Sequence, residues 1–179
     1  MAPLVWFITG CSSGLGAALA AQVLDRGDFA IATLRDISKC PPTLQNHTQR
    51  ANLSILSLDV TAPLSTIHGV IAEATDIHGH IDVLVNNAGY IQIGTVEELK
   101  EEEWKAQFDT NVFGAVRTTS VVLKGMRERG KGTIVFVGSL SGWVGHDACG
   151  AYAASKFALA GKYRTSSEKR ADTDGCGQA

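Results

Sequence analysis

Five short apolar runs alternate along the chain with longer amphipathic stretches, and this alternation limits the possible folds more than any other feature. The runs are rich in β-branched residues and bounded by turn residues, as buried strands are; they are Leu4–Thr9, Phe29–Leu34, Leu53–Leu58, Ile81–Val85 and Thr133–Val137. Between them, apolar residues recur at helical spacing in Leu15–Leu24, Leu64–Thr75 and Glu101–Met126. The alternation predicts the α/β class, with a doubly wound parallel sheet of about five strands covered on both faces.

The composition changes near the end of the chain. Residues 162–179 contain no Leu, Ile, Val, Phe, Met or Trp, and they are rich in charged and small side chains. We expect this segment to be a disordered tail that supplies no buried strand. Because a doubly wound sheet of this type runs to about six strands, the sequence predicts one domain at 1–161, incomplete at its C-terminus, with Thr133–Val137 as an apolar edge.

Charge, cysteines and hydropathy exclude several kinds of partner. The net charge is −2 and no basic stripe is present, so nucleic acid is not expected as a partner. The four cysteines form no C-x-x-C pair and no zinc-like spacing, which indicates reduced thiols and no metal. No stretch approaches the roughly 20 apolar residues of a membrane span, and the run from Leu4 to Ile8 lacks a basic leader. We therefore expect a cytoplasmic protein.

A glycine-rich turn, Thr9–Gly16, follows the first predicted strand and opens the first helix. Glycines allow close backbone approach to a pyrophosphate, whose charge the helix N-terminus stabilises. Gly10, Gly14 and Gly16 suit that role in a Rossmann-type nucleotide site. The spacing is G-x-x-x-G-x-G, however, and not the G-x-G-x-x-G of long dinucleotide folds. On this segment alone, a plain strand-to-helix loop stays open.

Three later motifs follow that turn in a diagnostic order: Asn86–Gly89 (N-N-A-G), Ser139, and Tyr152–Lys156 (Y-A-A-S-K). Together with the turn, they resemble the short-chain dehydrogenase/reductase family over about Val5 to Gly161. The resemblance implies a nicotinamide-dependent oxidoreductase acting on CH-OH groups. The strings Ile8–Gly16 and Ala32–Asp36 are most similar to the branch that contains 17β-hydroxysteroid and retinol-type dehydrogenases.

The resemblance also implies roles for individual residues. The catalytic set would be Asn111, Ser139, Tyr152 and Lys156, with Ser139 orienting the substrate oxygen and Asn111 organising a water that links Lys156 to solvent. The cofactor-binding set would be Gly10, Ser12, Ser13, Gly14, Leu15, Gly16, Arg35, Asp59, Val60, Asn87, Ala88, Gly89, Asn111, Tyr152 and Lys156. Asp59 would contact the exocyclic amine of adenine.

The spacing of Tyr152 and Lys156 suits proton transfer. Hydride transfer at an alcohol carbon must be matched by proton transfer at its oxygen, and a free tyrosine with a pKa of about 10 is a poor base at neutral pH. Lys156 follows four residues later, on the same helical face, where its ammonium group can favour the phenolate. Taken alone, such a pair is more often a solvated surface pair. His146, Asp147 and Cys149 fit no ligand or nucleophile template and are interpreted as lining a substrate pocket.

The end of the second strand bears on which nicotinamide is bound. A carboxylate there would hydrogen-bond the ribose of NAD and repel the extra phosphate of NADP. Leu34 occupies that position, and Arg35 beside it can hold a phosphate bidentately, with Ser12 adding a hydroxyl. NADP is therefore predicted over NAD. A surface ion pair of Arg35 with Asp36 is the alternative.

Two functions remain open from the sequence. The first is an NADP(H)-dependent oxidoreductase that interconverts a hydroxyl and a carbonyl on a hydrophobic small molecule, with Tyr152 as acid/base. The second is a truncated, catalytically inactive family member that binds nucleotide weakly or has an interaction role. The family's usual dimers imply a possible homo-oligomer, which a shortened tyrosine-bearing helix would weaken.

Overall fold

The computed structural model describes residues 2–47 and 51–166, with side chains as far as residue 161. In these ranges the strands are β1 Val5–Ile8, β2 Phe29–Leu34, β3 Leu53–Ser57, β4 Val83–Asn86 and β5 Thr133–Phe136. The α-helices are α1 Gly14–Asp25, α2 Pro42–Gln45, α3 Leu64–His78, α4 Glu101–Phe108, α5 Ala115–Glu128 and α6 Gly150–Ser166. Two 3₁₀ turns, Ile37–Lys39 and Leu140–Gly142, and a π-helical segment, Asp109–Gly114, complete the order.

All five strands of the described residues run parallel in one sheet, in the order β3-β2-β1-β4-β5. Phe7 at the centre of β1 pairs with Ile31 on one side and with Leu84 on the other. The strand order reverses between β1 and β4, where successive helices pass to opposite faces of such a sheet. The predicted α/β doubly wound parallel sheet is confirmed.

Helices cover both faces of this sheet. The evidence is that neighbouring strand residues belong to two different apolar clusters. Phe7 and Leu84 pack with residues of α3 and α5, whereas Ile8 and Val85 pack with residues of α1 and α2. Side chains alternate between faces along a strand. The two clusters are therefore the two faces of the sheet, and the near-continuous apolar strands of the sequence follow from burial on both sides.

The chain divides into two compact units. The first comprises the chain up to Tyr90 together with Asp109–Val137, and it contains the whole sheet. The second comprises Ile91–Phe108 and the described residues from Gly138 onward, with α4, the turn Leu140–Gly142 and α6.

The predicted strands are all present, each within about two residues of its predicted bounds. The helical region predicted over Glu101–Met126 is present, as α4, the π-helical segment and α5 in direct succession. α6 continues through residues 162–166, into the segment expected to be disordered, and 167–179 lies outside the described residues. β5 lies at the sheet edge. In the described part of the chain, no helix is both long and apolar enough to cross a membrane.

Candidate active site

The glycine turn between β1 and α1 is packed directly against the residues that follow β4. Gly10 has a φ of +72°, and a Cβ built on it would lie 2.8 Å from the Cα of Ala88. A Cβ on Gly16 would lie 2.5 Å from both Asn87 Nδ2 and the carbonyl oxygen of Gly10. Such distances are too short for any side chain beyond hydrogen. Close packing therefore requires glycine at both positions, whereas the spacing of the glycines in the sequence only indicated it.

Hydrogen bonds between Thr9 and Asn87 fasten the same two segments. The buried hydroxyl of Thr9 accepts from the backbone N–H groups of Asn87 and Ala88, both at 3.0 Å. In return, Asn87 Nδ2 donates to the carbonyl oxygens of Thr9 at 2.8 Å and of Gly10 at 2.9 Å. The turn is thus held in one conformation by polar contacts as well as by close packing.

The first turn of α1 fits an anion. Ser13 precedes the helix in an extended conformation, and its side chain makes no capping hydrogen bond to the described residues. Gly14 has a φ of +57°, and a Cβ on it would meet no described atom within 4 Å. The first N–H groups of a helix lack intrahelical partners and carry its positive end. Exposed Ser12 and Leu15 flank this opening, which suits a phosphate group.

Cys11 lies inside the turn but takes no part in such chemistry. Its thiol is buried beside the carbonyl oxygen of Ile8, with the two atoms 3.3 Å apart. Burial raises the pKa of Cys11 to about 12, against a smaller opposing effect of the hydrogen bond with Thr33. The thiol is therefore neutral at physiological pH and unreactive.

The end of β2 leaves Arg35 exposed. Leu34 is only 1% exposed and turns into the core, so it presents no polar group. The carboxylate of Asp36 accepts from both the N–H and the hydroxyl of Ser38, at 3.0 and 2.6 Å, and lies 3.8 Å from Lys39 Nζ. These contacts, the Ser38 hydrogen bonds first, hold the pKa of Asp36 below its usual value. Among the described residues, no ion pair joins Asp36 to Arg35, so the surface-pair alternative is not observed.

Asp59 and Val60 follow β3. One carboxylate oxygen of Asp59 accepts from the N–H and hydroxyl of Thr61, at 2.8 and 2.7 Å, which fixes the side chain in a local turn. The expected contact with adenine would therefore use the other oxygen, and it stays a prediction. Val60 is buried, and a Cβ on Gly114 would lie 2.6 Å from its Cγ2.

Asn111 lies in the π-helical segment and is 2% exposed. Its side-chain oxygen accepts from the N–H of Tyr90 at 3.1 Å, and its Nδ2 donates to the carbonyl oxygen of Tyr90 at 3.0 Å. A Cβ on Gly89 would lie 3.0 Å from the same side-chain oxygen. The Asn111 amide therefore holds the backbone that follows the N-N-A-G motif, a contact that the sequence did not predict. The predicted role in a water chain stays a prediction.

In the second unit, α6 brings Tyr152 and Lys156 together. Lys156 Nζ lies 5.8 Å from the centre of the Tyr152 ring, and Lys156 is 7% exposed. Burial lowers the pKa of Lys156 by disfavouring its charged form. The interpretation as a solvated surface pair is therefore not observed. Ser155 between them is fully buried, and its hydroxyl donates to the carbonyl oxygen of Tyr152 at 2.7 Å.

Ser139 begins the 3₁₀ turn Leu140–Gly142, where its hydroxyl oxygen accepts from the N–H of Ser141 at 3.1 Å. A serine hydroxyl that accepts in this way retains a proton that it can donate to a ligand oxygen. A Cβ on Gly142 would lie 3.0 Å from the carbonyl oxygen of Lys156, so this turn packs closely on α6.

The loop before α6 is tied to the loop after β4. The N–H of Gly94 donates to the carbonyl oxygen of Ala148 at 2.8 Å, beside a parallel bridge between Gly94 and Cys149. In the described part of the chain, no group of three His, Cys, Asp or Glu side chains could hold a metal ion. The lining role proposed for His146, Asp147 and Cys149 stays a prediction.

Each unit thus brings some of the predicted site residues together. The first unit brings together the glycine turn with Asn87 and Ala88, and Asn111 with Gly89. The second brings together Tyr152 and Lys156. The sequence analysis assigned no role to Thr9. Its position at the end of β1, directly before the first glycine, could have indicated that it helps to hold the turn.

Comparisons with known proteins agree with one another. The family model described as short chain dehydrogenase matches residues 4–173. Retinol dehydrogenase 8 of Homo sapiens is 39% identical over 170 residues, covering 92% of this chain and 53% of that protein. A short-chain dehydrogenase from Streptomyces avermitilis superposes with a TM-score of 0.87 at 36% identity, over 94% of this chain and 61% of its own.

A second solved structure, actinorhodin polyketide ketoreductase with NADPH, gives a TM-score of 0.85 at 32% identity, over 91% of this chain and 63% of its own. The chain spans about half the length of the curated relatives that it matches.

Proposed function

Because the chain belongs to the short-chain dehydrogenase family, we propose that it is an NADP(H)-dependent oxidoreductase that interconverts a hydroxyl and a carbonyl on a hydrophobic small molecule. One observation carries this proposal: Lys156 is buried on α6 with its Nζ 5.8 Å from the centre of the Tyr152 ring. The similarity to a retinol dehydrogenase and to a polyketide ketoreductase supports this reaction class and agrees with the branch predicted from the sequence.

Tyr152 acts as the acid and base at the substrate oxygen. Oxidation of an alcohol requires removal of the hydroxyl proton, and the phenolate of Tyr152 accepts it. A phenolate at neutral pH needs a nearby positive charge, and the Lys156 ammonium group supplies one in a setting poor in water. The benefit is mutual, because burial disfavours the ammonium form of Lys156 and a neighbouring negative charge offsets that cost.

Ser139 and Asn111 have supporting roles in this proposal. The Ser139 hydroxyl, fixed by the N–H of Ser141, donates a hydrogen bond to the substrate oxygen and so orients it. Asn111 holds the backbone of Tyr90 with both ends of its side-chain amide and thereby fixes the residues that follow β4. The predicted water that connects Lys156 to solvent through Asn111 remains part of the proposal.

The first unit would hold the dinucleotide. The open first turn of α1 and the left-handed Gly14 suit the pyrophosphate, Arg35 suits a 2′-phosphate, and Asp59 and Val60 suit adenine. When bound, the nicotinamide supplies or accepts the hydride at the substrate carbon. Leu34 places no carboxylate where it would repel the 2′-phosphate, which supports NADP over NAD.

Substituting Phe at Tyr152 tests the proposed acid and base. The variant keeps the ring but loses the proton-transferring oxygen, so we expect turnover to fall by roughly 10²–10⁴-fold. The measurement follows NADPH absorbance with a panel of hydrophobic ketones and alcohols. Tyr90→Phe is the matched control, since Tyr90 is 39% exposed and its hydrogen bonds with Asn111 at 3.1 and 3.0 Å are made by its backbone. A Tyr152→Phe variant that turns over as fast as the parent would contradict the assignment of Tyr152 as the acid and base.

A thermal titration with NADPH and NADH tests the cofactor. A ligand at 100 times its Kd stabilises the folded state by about 2.7 kcal/mol, or several degrees in Tm for a chain of this size. We expect a larger shift with NADPH, and we expect Arg35→Ala to reduce that shift while leaving the NADH shift unchanged. Lys39→Ala, a nearby exposed cation, is the control. Equal shifts with both nucleotides would contradict the role of Arg35, and binding without turnover would favour the inactive, nucleotide-binding alternative.

We also propose a cytosolic location. The three cysteines in the described part of the chain, Cys11, Cys40 and Cys149, are free thiols, which is typical of a reducing compartment. Labelling of the tagged chain in cells, followed by fractionation, would test this placement.

A further inference from the structure

A fully buried threonine, Thr118, joins the helix that contains it to the end of β4. Its hydroxyl oxygen lies 2.6 Å from the carbonyl oxygen of Gly114 and 2.9 Å from Oδ1 of Asn86, and its single proton is shared between these two acceptors. Asn86 is also buried, and its Nδ2 donates to the hydroxyl of Thr119 at 3.0 Å. One hydroxyl therefore connects the main chain of the helix with the strand that ends at the N-N-A-G motif.

The carbonyl that Thr118 contacts ends the π-helical segment, since Gly114 is its last residue and α5 begins at Ala115. A π-turn contains more residues than an α-turn, so the length of the segment decides which way its side chains point. A threonine hydroxyl bonded four residues back enters the main-chain ladder at this junction. A side chain outside the segment therefore contacts the main chain at the residue where the segment ends.

Two other contacts touch the same segment, but they are weaker candidates for fixing its register. Arg117 pairs with Asp109 at 2.7 Å, yet these side chains are 30% and 37% exposed, and solvent screens such pairs. Gly114 packs against Val60, which explains why it is glycine but gives no hydrogen bond. Thr118 contributes a buried and directional contact, and buried polar contacts are costly to lose.

We propose that Thr118 is a positioning residue for Asn111: its hydroxyl, shared between Gly114 and Asn86, fixes the π-helical register that directs the Asn111 side chain onto the backbone of Tyr90. The kinetic consequence of this role rests on the proposed oxidoreductase function. The structural consequence does not, because the hydrogen bond from the Tyr90 N–H to Asn111 can be followed in the absence of any substrate.

Amide hydrogen exchange on the full chain provides that measurement. Thr118→Val preserves shape but removes the hydroxyl, and we expect exchange at the Tyr90 N–H to become roughly tenfold faster. Thr118→Ser retains the hydroxyl and should stay within about twofold of the parent. Thr119→Val is the matched control, since it removes the other hydroxyl that contacts Asn86 but leaves the Gly114 contact intact. Thr118→Ala gives the same comparison if Thr118→Val does not fold.

The Ile31 amide, on the central part of the sheet, serves as a reference for global unfolding. Acceleration at Tyr90 with little change at Ile31, restored in Thr118→Ser, would support the positioning role. Equal acceleration at both amides, or none at Tyr90, would overturn it. A double variant tests coupling: with Asn111→Ala already present, adding Thr118→Val should accelerate exchange at Tyr90 no further.

Steady-state kinetics separates this proposal from the proposed function. In an active parent, Thr118→Val should lower kcat by roughly tenfold while the KM for NADPH stays within about twofold, because misplacement acts on reacting groups more than on nucleotide binding. An unchanged kcat in Thr118→Val would overturn the positioning role. A parent without turnover would count against the proposed function alone, since the exchange result at Tyr90 would still decide the role of Thr118.

Discussion

Replacing Gly10 with alanine tests whether the glycine turn is required by close packing or only by chain flexibility. Gly10 has a φ of +72°, and the added Cβ would lie 2.8 Å from the Cα of Ala88 and 3.1 Å from its nitrogen. Both neighbours are backbone atoms, which cannot rotate away as a side chain can. Asn87 and Ala88 are also fastened to Thr9 by hydrogen bonds, so the opposing backbone resists movement.

The expected cost is the sum of two effects, less a small gain. An L-residue in the left-handed region costs roughly 1–2 kcal/mol, and overpacking costs typically about 1–3 kcal/mol. Replacing glycine also lowers the conformational entropy of the unfolded chain, which stabilises the folded state by roughly 0.4–1 kcal/mol. We therefore expect Gly10→Ala to lower the free energy of unfolding by about 1–5 kcal/mol, with the midpoints of the three ranges giving about 3 kcal/mol. Because domains are stable by only roughly 5–15 kcal/mol, such a loss is readily measured.

Gly14→Ala is the matched control, because Gly14 has a similar φ of +57° but no described atom lies within 4 Å of its added Cβ. Only backbone strain applies there, so we expect a loss of about 1 kcal/mol. Urea unfolding followed by circular dichroism gives both values from the shift in midpoint at constant m. Equal losses for the two variants would refute the claim that close approach, and not conformation, requires glycine at position 10.

Three further predictions concern buried polar groups. Thr9→Val should lower the free energy of unfolding by roughly 1–3 kcal/mol, since it removes the acceptor of the Ala88 N–H and one of the two acceptors of the Asn87 N–H, which also donates to the carbonyl oxygen of Val85; Thr9→Ser should restore most of it, and equal urea midpoints for the two would contradict this. Cys11, with a pKa of about 12, should resist thiol labelling at pH 8 in the native state and react in urea, as mass spectrometry of the labelled chain would show. Burial lowers the pKa of Lys156, so the unfolded chain binds more protons and stability should rise with pH between that lowered value and the ordinary lysine value of 10.5. Urea midpoints across this range should rise less steeply in Lys156→Met, and an unchanged slope would count against burial of the charge.

The sheet could be predicted because its signal is local. β2 was predicted residue for residue, since Phe29–Leu34 is β-branched, apolar and bounded by glycine and charged residues. β4 was predicted two residues early at Ile81, because the apolar and buried Ile81 precedes the strand. Burial on both faces removes the period-two alternation that would otherwise fix strand ends.

The π-helical segment could not be predicted, because its causes lie outside it. Asn111 is held by the backbone of Tyr90, and Gly114 by Val60 and by the hydroxyl of Thr118. None of these contacts has a periodic signature in the sequence, and the apolar spacing across the region is compatible with an uninterrupted α-helix. The glycine turn was better predicted, since its positive φ angles demand glycine and glycine is visible in the sequence.

The rigidity of the glycine turn and the opening beside it have one cause, the reversal of strand order between β1 and β4. Because these strands are neighbours, their carboxyl ends lie side by side, and Thr9 after one can bond to Asn87 after the other across 78 residues of chain. The helices of the same unit that pack beside these strands, α1 and α5, lie on opposite faces of the sheet, and doubly wound folds bind their ligands at such a reversal of strand order. The hydrogen bonds between Thr9 and Asn87 lie at this reversal. Changes to these two residues should weaken nucleotide binding beyond what their cost in stability explains, whereas changes of equal cost in the core should not.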